Sequence, residues 1–165
     1  MATPLIRRVA AGDAAAIAAI YNHHVANTIV TFEETAVGED EMRRRIADID
    51  GSHAWFVAEL AGRVAGYAYA SAWRARTAYR RSVETTVYVD DAFVGRGLGT
   101  ALYDALLREL AQRGFHCAMG GIALPNAGSV ALHERMGFAK VAHFKEVGWK
   151  LGRWIDVGYW QRVLE

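Results

Sequence analysis

The chain has 165 residues, 53% hydrophobic and 22% charged, which suits one compact domain spanning 1–165 with a sizeable core; two domains would each be short of core. Its formal net charge of +1 offers no general electrostatic grip on nucleic acid or an anionic membrane, and no apolar run approaches the roughly 20 residues that cross a bilayer. The lone cysteine, Cys117, excludes an internal disulfide and reads as a buried core residue in a reducing compartment; with no export leader in evidence, the cytoplasm is the expected location.

From the amino end, Leu5 to Val9 alternates as a strand. Gly12 and Asp13 supply a turn and a helix N-cap, and Ile17, Ile20, Tyr21 and Val25 recur on one face of the helix that follows. Glu39 to Ile49 is a more charged helix with Met42, Ile46 and Ile49 as a thin apolar stripe. Ala54 to Leu60 and Arg63 to Trp73 read as strands of an antiparallel hairpin around Ala61 and Gly62. Arg74 to Ser82 is basic and aromatic without a period and reads as a loop. Val83 to Val89 alternates again, with Val83, Thr85, Val87 and Val89 on one face and Glu84, Thr86 and Tyr88 on the other. After a glycine-rich turn, Leu98, Ala101, Leu102, Ala105, Leu106 and Leu110 fall at helical spacing up to Arg113 and Gly114. His116 to Ala123 is strand-like, Ala127 to Met136 is a short helix closed by Gly137, and Phe138 to Val147 and Arg153 to Val163 supply the last strands. The mixed order, with hairpins and one strand, helix, strand crossover near the centre, predicts an α/β fold around a mixed sheet.

The stretch Thr86 to Tyr103, TVYVDDAFVGRGLGTALY, runs from a strand through Gly95, Gly97 and Gly99 into a helix. Unpaired amides at a helix start, with glycines that allow close approach, hold a phosphate or diphosphate, and Arg96 can add to the attraction. The same pattern also serves as a plain structural turn. It lacks the lysine and Ser/Thr of a nucleotide P-loop, and it lies past mid-chain, where a dinucleotide fold would not place it.

With this motif the chain resembles the GNAT superfamily of N-acetyltransferases and, within it, the phosphinothricin and methionine sulfoximine acetyltransferase group. Gly97 and Gly99 fit the glycine positions of the superfamily's Gln/Arg-x-x-Gly-x-Gly/Ala signature, while Val94 stands where Gln or Arg is usual. Further matches are TFE at Thr31 to Glu33, RARTAYRRSVETTVYV at Arg74 to Val89, PNAGSVALHERMGF at Pro125 to Phe138 and VGWKLGRWIDVGYWQ at Val147 to Gln161, so the resemblance covers almost the whole length. It implies a largely antiparallel mixed sheet flanked by helices, with a central strand, glycine loop and helix that bind acetyl-CoA.

Carried onto these positions, the resemblance implies that the backbone of Val87, Tyr88 and Val89 pairs with the pantetheine arm and supplies an oxyanion donor. The amides of Gly95, Arg96, Gly97, Leu98, Gly99 and Thr100 would meet the diphosphate. Asn126 would contact coenzyme A with Ser129 one turn on, although Asn126 also reads as a helix N-cap after Pro125. Glu84 is the candidate base, against an ion pair with Arg80 or Arg81. His133 stands where many members carry a tyrosine that protonates the leaving thiolate; it reads either as a proton donor or as a histidine packed near the cofactor. Arg74, Arg76 and Tyr79 would clasp the acidic ends of a glutamate-like substrate, with Phe32, Glu33, Thr85 and Thr86 lining the site, whereas the bland reading of this loop is a solvated basic surface.

Two other readings stay open: an acyl-CoA-sensing domain without catalysis, and an N-acetyltransferase for another small amine. A nucleic-acid module is disfavoured by the near-zero charge. His23 and His24 are adjacent, point to different sides of a helix and have no second ligand cluster, so no metal is expected. Trp149, Trp154, Tyr159 and Trp160 either close the sheet or form a subunit interface; members of the group are commonly dimers, so a homodimer is the expectation.

Overall fold

A computed structural model describes residues 2–165. Among these, β1 (Leu5–Arg8), β2 (Ala54–Leu60), β3 (Arg63–Ala72), β4 (Ser82–Val89), β5 (Cys117–Leu124), β6 (Ala139–Lys150) and β7 (Arg153–Val163) form one sheet of order β1-β2-β3-β4-β5-β7-β6. Every neighbouring pair is antiparallel except β4 and β5, which run parallel. The helices are α1 (Ala14–Asn27), α2 (Glu39–Asp50), α3 (Leu98–Gln112) and α4 (Ala127–Arg135). No helix of the described residues is long and apolar enough to cross a membrane.

Strand alternation sorts the core to the two faces of the sheet. On β2, Ala54 and Ala58 join Leu98, Leu102, Leu106 and Leu110 of α3, while Trp55 and Val57 join Ile17, Tyr21, Met42 and Ile46 of α1 and α2. Cys117 is buried, and Gln161 Nε2 donates to its Sγ at 2.9 Å.

Three local expectations are corrected. Asp13 does not cap α1 with its side chain; it closes a 3₁₀ turn over Ala11–Asp13, and its carboxylate accepts from Ala10 N at 2.7 Å and from both terminal nitrogens of Arg7 at 2.9 Å. The loop from Arg74 contains a 3₁₀ turn over Thr77–Tyr79 and gives up Ser82 to β4. Strand β6 continues three residues past Val147, because a register shift between Phe144 and Gly148, with Glu146 at φ 52°, breaks the alternation by which sequence locates a strand end.

Candidate active site

The parallel pairing of β4 with β5 covers only Ser82–Glu84 against Cys117–Met119. Beyond Glu84 the two strands part: β5 stays paired to β7 as far as Leu124, and Thr85–Val89 keep their partners in β3 but have none in β5. The opening is a cleft of ≈ 600 Å³ lined by Thr85–Val89, the glycine turn, the start of α3 and α4. An unpaired strand edge offers backbone donors and acceptors to an extended, amide-bearing ligand.

At one end of the cleft, Gly95 and Gly97 hold φ of 80° and 77°, a left-handed backbone that favours glycine, and Gly97 leads into α3 with the helix amides behind it. Gly99 serves a different purpose: a Cβ there would lie 3.0 Å from Leu132 Cδ2, so its bareness lets α3 pack against α4. Thr100 lines the cleft and accepts a hydrogen bond from Arg135, a cation at the end of α4 that also lines it. Arg96 stands outside this lining, with its guanidinium 5.4 Å from the centre of the Phe93 ring, and Val94 is exposed. Asn126 caps α4, accepting from Ser129 N at 3.1 Å, and both residues line the cleft.

Beyond Glu84 lies a second cavity of ≈ 610 Å³. Val30, Glu84, Gly121 and Ala123 line both, so Glu84 stands where the two meet. Burial raises its pKa, and the charge of Arg74 partly offsets this. It makes no ion pair with Arg80 or Arg81; the Arg80 guanidinium instead donates to the Thr77 carbonyl. Gly121 faces the carboxylate and makes room for the Tyr159 ring, since a Cβ there would lie 3.1 Å from that ring and in ordinary contact with Glu84 Oε1 at 3.4 Å.

The second cavity is mostly apolar, walled by Phe32, Trp73, Met119, Val141, Phe144 and Tyr159, with the cation Arg74 lying over Trp73 at 4.9 Å. Thr85 and Thr86 line the first cavity rather than this one. Glu33, Arg76 and Tyr79 are in neither lining. Glu33 is turned toward α1 and α2, where Arg45 of α2 donates to it at 2.6 and 3.1 Å and Tyr21 of α1 at 2.7 Å; Arg76 precedes the exposed 3₁₀ turn and Tyr79 ends it.

His133 is 3% exposed at the floor of the cleft. Its Nδ1 lies 2.7 Å from the Ser129 carbonyl, which can only accept, so Nδ1 carries the proton and Nε2 presents a lone pair to the Tyr103 hydroxyl at 3.0 Å. The Tyr103 hydroxyl also donates toward Thr85 Oγ1 at 3.2 Å, sharing its single proton between that oxygen and Nε2, while Thr85 Oγ1 donates to the Met119 carbonyl at 3.2 Å. Burial lowers the His133 pKa, so the ring is neutral at pH 7 with both nitrogens engaged. Gly120 makes room for it, because a Cβ there would lie 2.5 Å from Nε2.

Sequence reading passed over Tyr103, Arg135, Gly120 and Gly121. Tyr103 blends into the apolar face of its helix and Arg135 into a charged helix end, whereas two adjacent glycines inside a strand are a visible signal of close approach.

The acetyltransferase (GNAT) domain family matches residues 6–158. A phosphinothricin N-acetyltransferase of Streptomyces viridochromogenes is 40% identical over 160 residues, spanning 97% of this chain and 87% of that protein. An L-methionine sulfoximine/L-methionine sulfone acetyltransferase of Salmonella typhimurium is 36% identical over 171 residues, spanning 97% of this chain and 94% of its own. The crystal structure of a GNAT superfamily phosphinothricin acetyltransferase from Sinorhizobium meliloti in complex with acetyl-CoA superposes with a TM-score of 0.95 at 39% identity, covering 98% of this chain and 89% of that one. With a parted β4–β5 pair, a glycine turn at a helix start and this likeness along nearly its whole length, the chain belongs to the GNAT acetyltransferase family.

Proposed function

We propose that the chain is an acetyl-CoA-dependent N-acetyltransferase, one domain over residues 1–165, that acylates the free amine of a small amino-acid-like substrate of the phosphinothricin, methionine sulfoximine or methionine sulfone type. The observation that carries this reading is the position of Glu84, a buried carboxyl on the wall shared by two cavities, one bounded by the glycine turn and the other by Arg74.

The residues present fit acetyl-CoA. The left-handed Gly95 and Gly97, the amides opening α3 and Arg135 suit a diphosphate, and the unpaired edge of Thr85–Val89 suits the two amides of a pantetheine arm. When bound, acetyl-CoA supplies an activated acyl group as a thioester. An α-amine of pKa about 8 is mostly protonated at pH 7, and reaching its neutral form costs about 1.4 kcal/mol, so a modest base is enough. Glu84 takes that proton, directly or through a water. A backbone N–H of Val87–Val89 stabilises the oxyanion, a contribution of about 2.7 to 4 kcal/mol for one such donor. His133, neutral and with no free N–H, holds α4 and the Tyr103 hydroxyl in place, and we assign protonation of the departing thiolate to solvent.

Arg74 fits one carboxylate, and the apolar remainder of the second cavity fits a side chain rather than a second strongly held anion. This narrows the expectation of a clasp by Arg74, Arg76 and Tyr79 to a single guanidinium. The same reading has the protein act in the cytoplasm as a homodimer, supported by Trp149, Leu151 and Trp154, which are exposed together at the β6–β7 turn.

The test is thiol release from acetyl-CoA across a panel of amines. Turnover of small amino acids with a free α-amine is expected; acetylation confined to peptide N-termini or lysines, or acetyl-CoA binding without turnover, would overturn the assignment.

A further inference from the structure

Lys150 ends β6 and is 2% exposed. Its Nζ donates to the Thr31 carbonyl at 2.8 Å and to the His24 carbonyl at 3.4 Å, and no carboxylate of the described residues lies within 4.0 Å of it. A buried ammonium satisfied only by carbonyls is an expensive way to fill space, since an apolar side chain of similar volume packs there at lower cost. What the charge does is reach across the molecule. Residues 28–38 join α1 to α2 without regular structure, and among the described residues the Lys150 bond to Thr31 is the hydrogen bond that ties this segment to β6, while the bond to His24 ties the end of α1 to the same ammonium.

The segment matters because it walls the site. Val30 lines both cavities and Phe32 lines the second. From the α1 and α2 side it is held by the Tyr21 hydroxyl, 2.8 Å from Thr31 Oγ1, and by Arg45 and Tyr21 on Glu33. From the β6 side it is held by Lys150 at the residue next to Phe32. The far edge of the Phe32 ring then lies against Gly148, where a Cβ would come within 2.4 Å of Cε2 and Cζ.

We infer that Lys150 is a positioning residue for the acceptor amine: by fixing the Thr31 carbonyl it seats Phe32 on Gly148 and so sets the width of the acceptor cavity without touching the substrate. The inference rests on the acetyltransferase reading above. It is separate from that reading in its consequences, because the glycine turn and the start of α3, which would hold the diphosphate, lie outside this segment, of which only Val30 reaches the cleft.

The test is steady-state kinetics of K150M, which keeps the length of the stem and removes the donor, with both substrates varied. The KM for the acceptor amine should rise between about tenfold and 100-fold, the range a sub-ångström to ångström misplacement produces, while the KM for acetyl-CoA stays within about twofold. K150R, which restores a donor, should fall between wild type and K150M, and it serves as the readout if K150M does not fold. A lower melting temperature with both KM values unchanged, or an equal rise in both, would overturn the assignment of Lys150 alone. A wild-type protein inactive on every amine would overturn the proposed function, and this inference with it.

Discussion

At Glu84 two effects on the carboxyl oppose each other: burial raises its pKa, and the Arg74 guanidinium in the same cavity lowers it, with burial the larger. The result is a carboxylate closer in basicity to an amine than an exposed one, which is what proton abstraction near neutral pH requires. In the wild type the rate should fall as pH drops through this raised pKa, because the base is then protonated. E84Q should lower kcat/KM about 100-fold near pH 7, and the deficit should shrink above about pH 8 to 9, where the amine is neutral unaided. Parallel wild-type and variant pH profiles would remove Glu84 from the base role. The sign for stability is the reverse of the sign for activity. A carboxyl whose folded pKa is raised costs stability once it ionises above that pKa, so E84Q should unfold at a denaturant concentration no lower than wild type at pH 7.

The turn before α3 and the start of α1 show how different local rules decide an element. At Gly97, φ of 77° admits glycine and strains a branched residue by about 1–3 kcal/mol, while no atom lies within 4 Å of a Cβ there. G97V should therefore weaken acetyl-CoA binding at least about tenfold in calorimetry by distorting the amides at the helix start; unchanged affinity would count against the cofactor assignment of this loop. Substitution at Gly99 reaches the site by another route, through Leu132 and the displacement of α4. At the start of α1, Asp13 is clamped by Arg7, which holds its carboxyl below the usual carboxylate range, with the Ala10 amide adding to the effect. A depressed carboxyl contributes stability that is present above the unfolded pKa of about 3.9 and is lost as pH falls through the lower folded value. D13N should cost about 1.5–3 kcal/mol at pH 7 in urea denaturation, and the difference from wild type should narrow below about pH 4.

Across the whole molecule, the sheet is two halves, β1 to β4 and β5 to β7, that meet over three residue pairs and then separate. That parting opens the site, and Gly120 and Gly121 leave room on opposite faces of β5 for His133 and Tyr159. On the far edge, Trp149 packs edge-on against Trp154 at 4.9 Å, yet both are more than half exposed, as is Leu151. Exposed aromatics of this kind are enriched where chains meet. Sedimentation should show a dimer at micromolar concentration, and Trp149→Ser combined with Trp154→Ser should yield a monomer. A wild-type monomer would end the homodimer proposal.

Much of this protein is written in neighbouring residues. The stripe from Leu98 to Leu110, the alternation of Val83 to Val89 and the glycines between them are local patterns that point to the α/β class and the order of elements, because backbone periodicity depends on residues a few positions apart; that the glycine turn takes a cofactor is what the family resemblance adds. Other features exist only once distant segments touch. Glu33 turns away to Arg45, one guanidinium of the basic loop reaches the second cavity, Tyr103 meets His133, and Lys150 finds the carbonyl of Thr31 from 119 residues away. The depth at which Glu84 lies, and so its basicity, belongs to the same class. Neighbouring residues set which backbone shapes were available; the packing of the two half-sheets settled which side chains face the clefts, since burial and charge at a point are sums over everything that surrounds it.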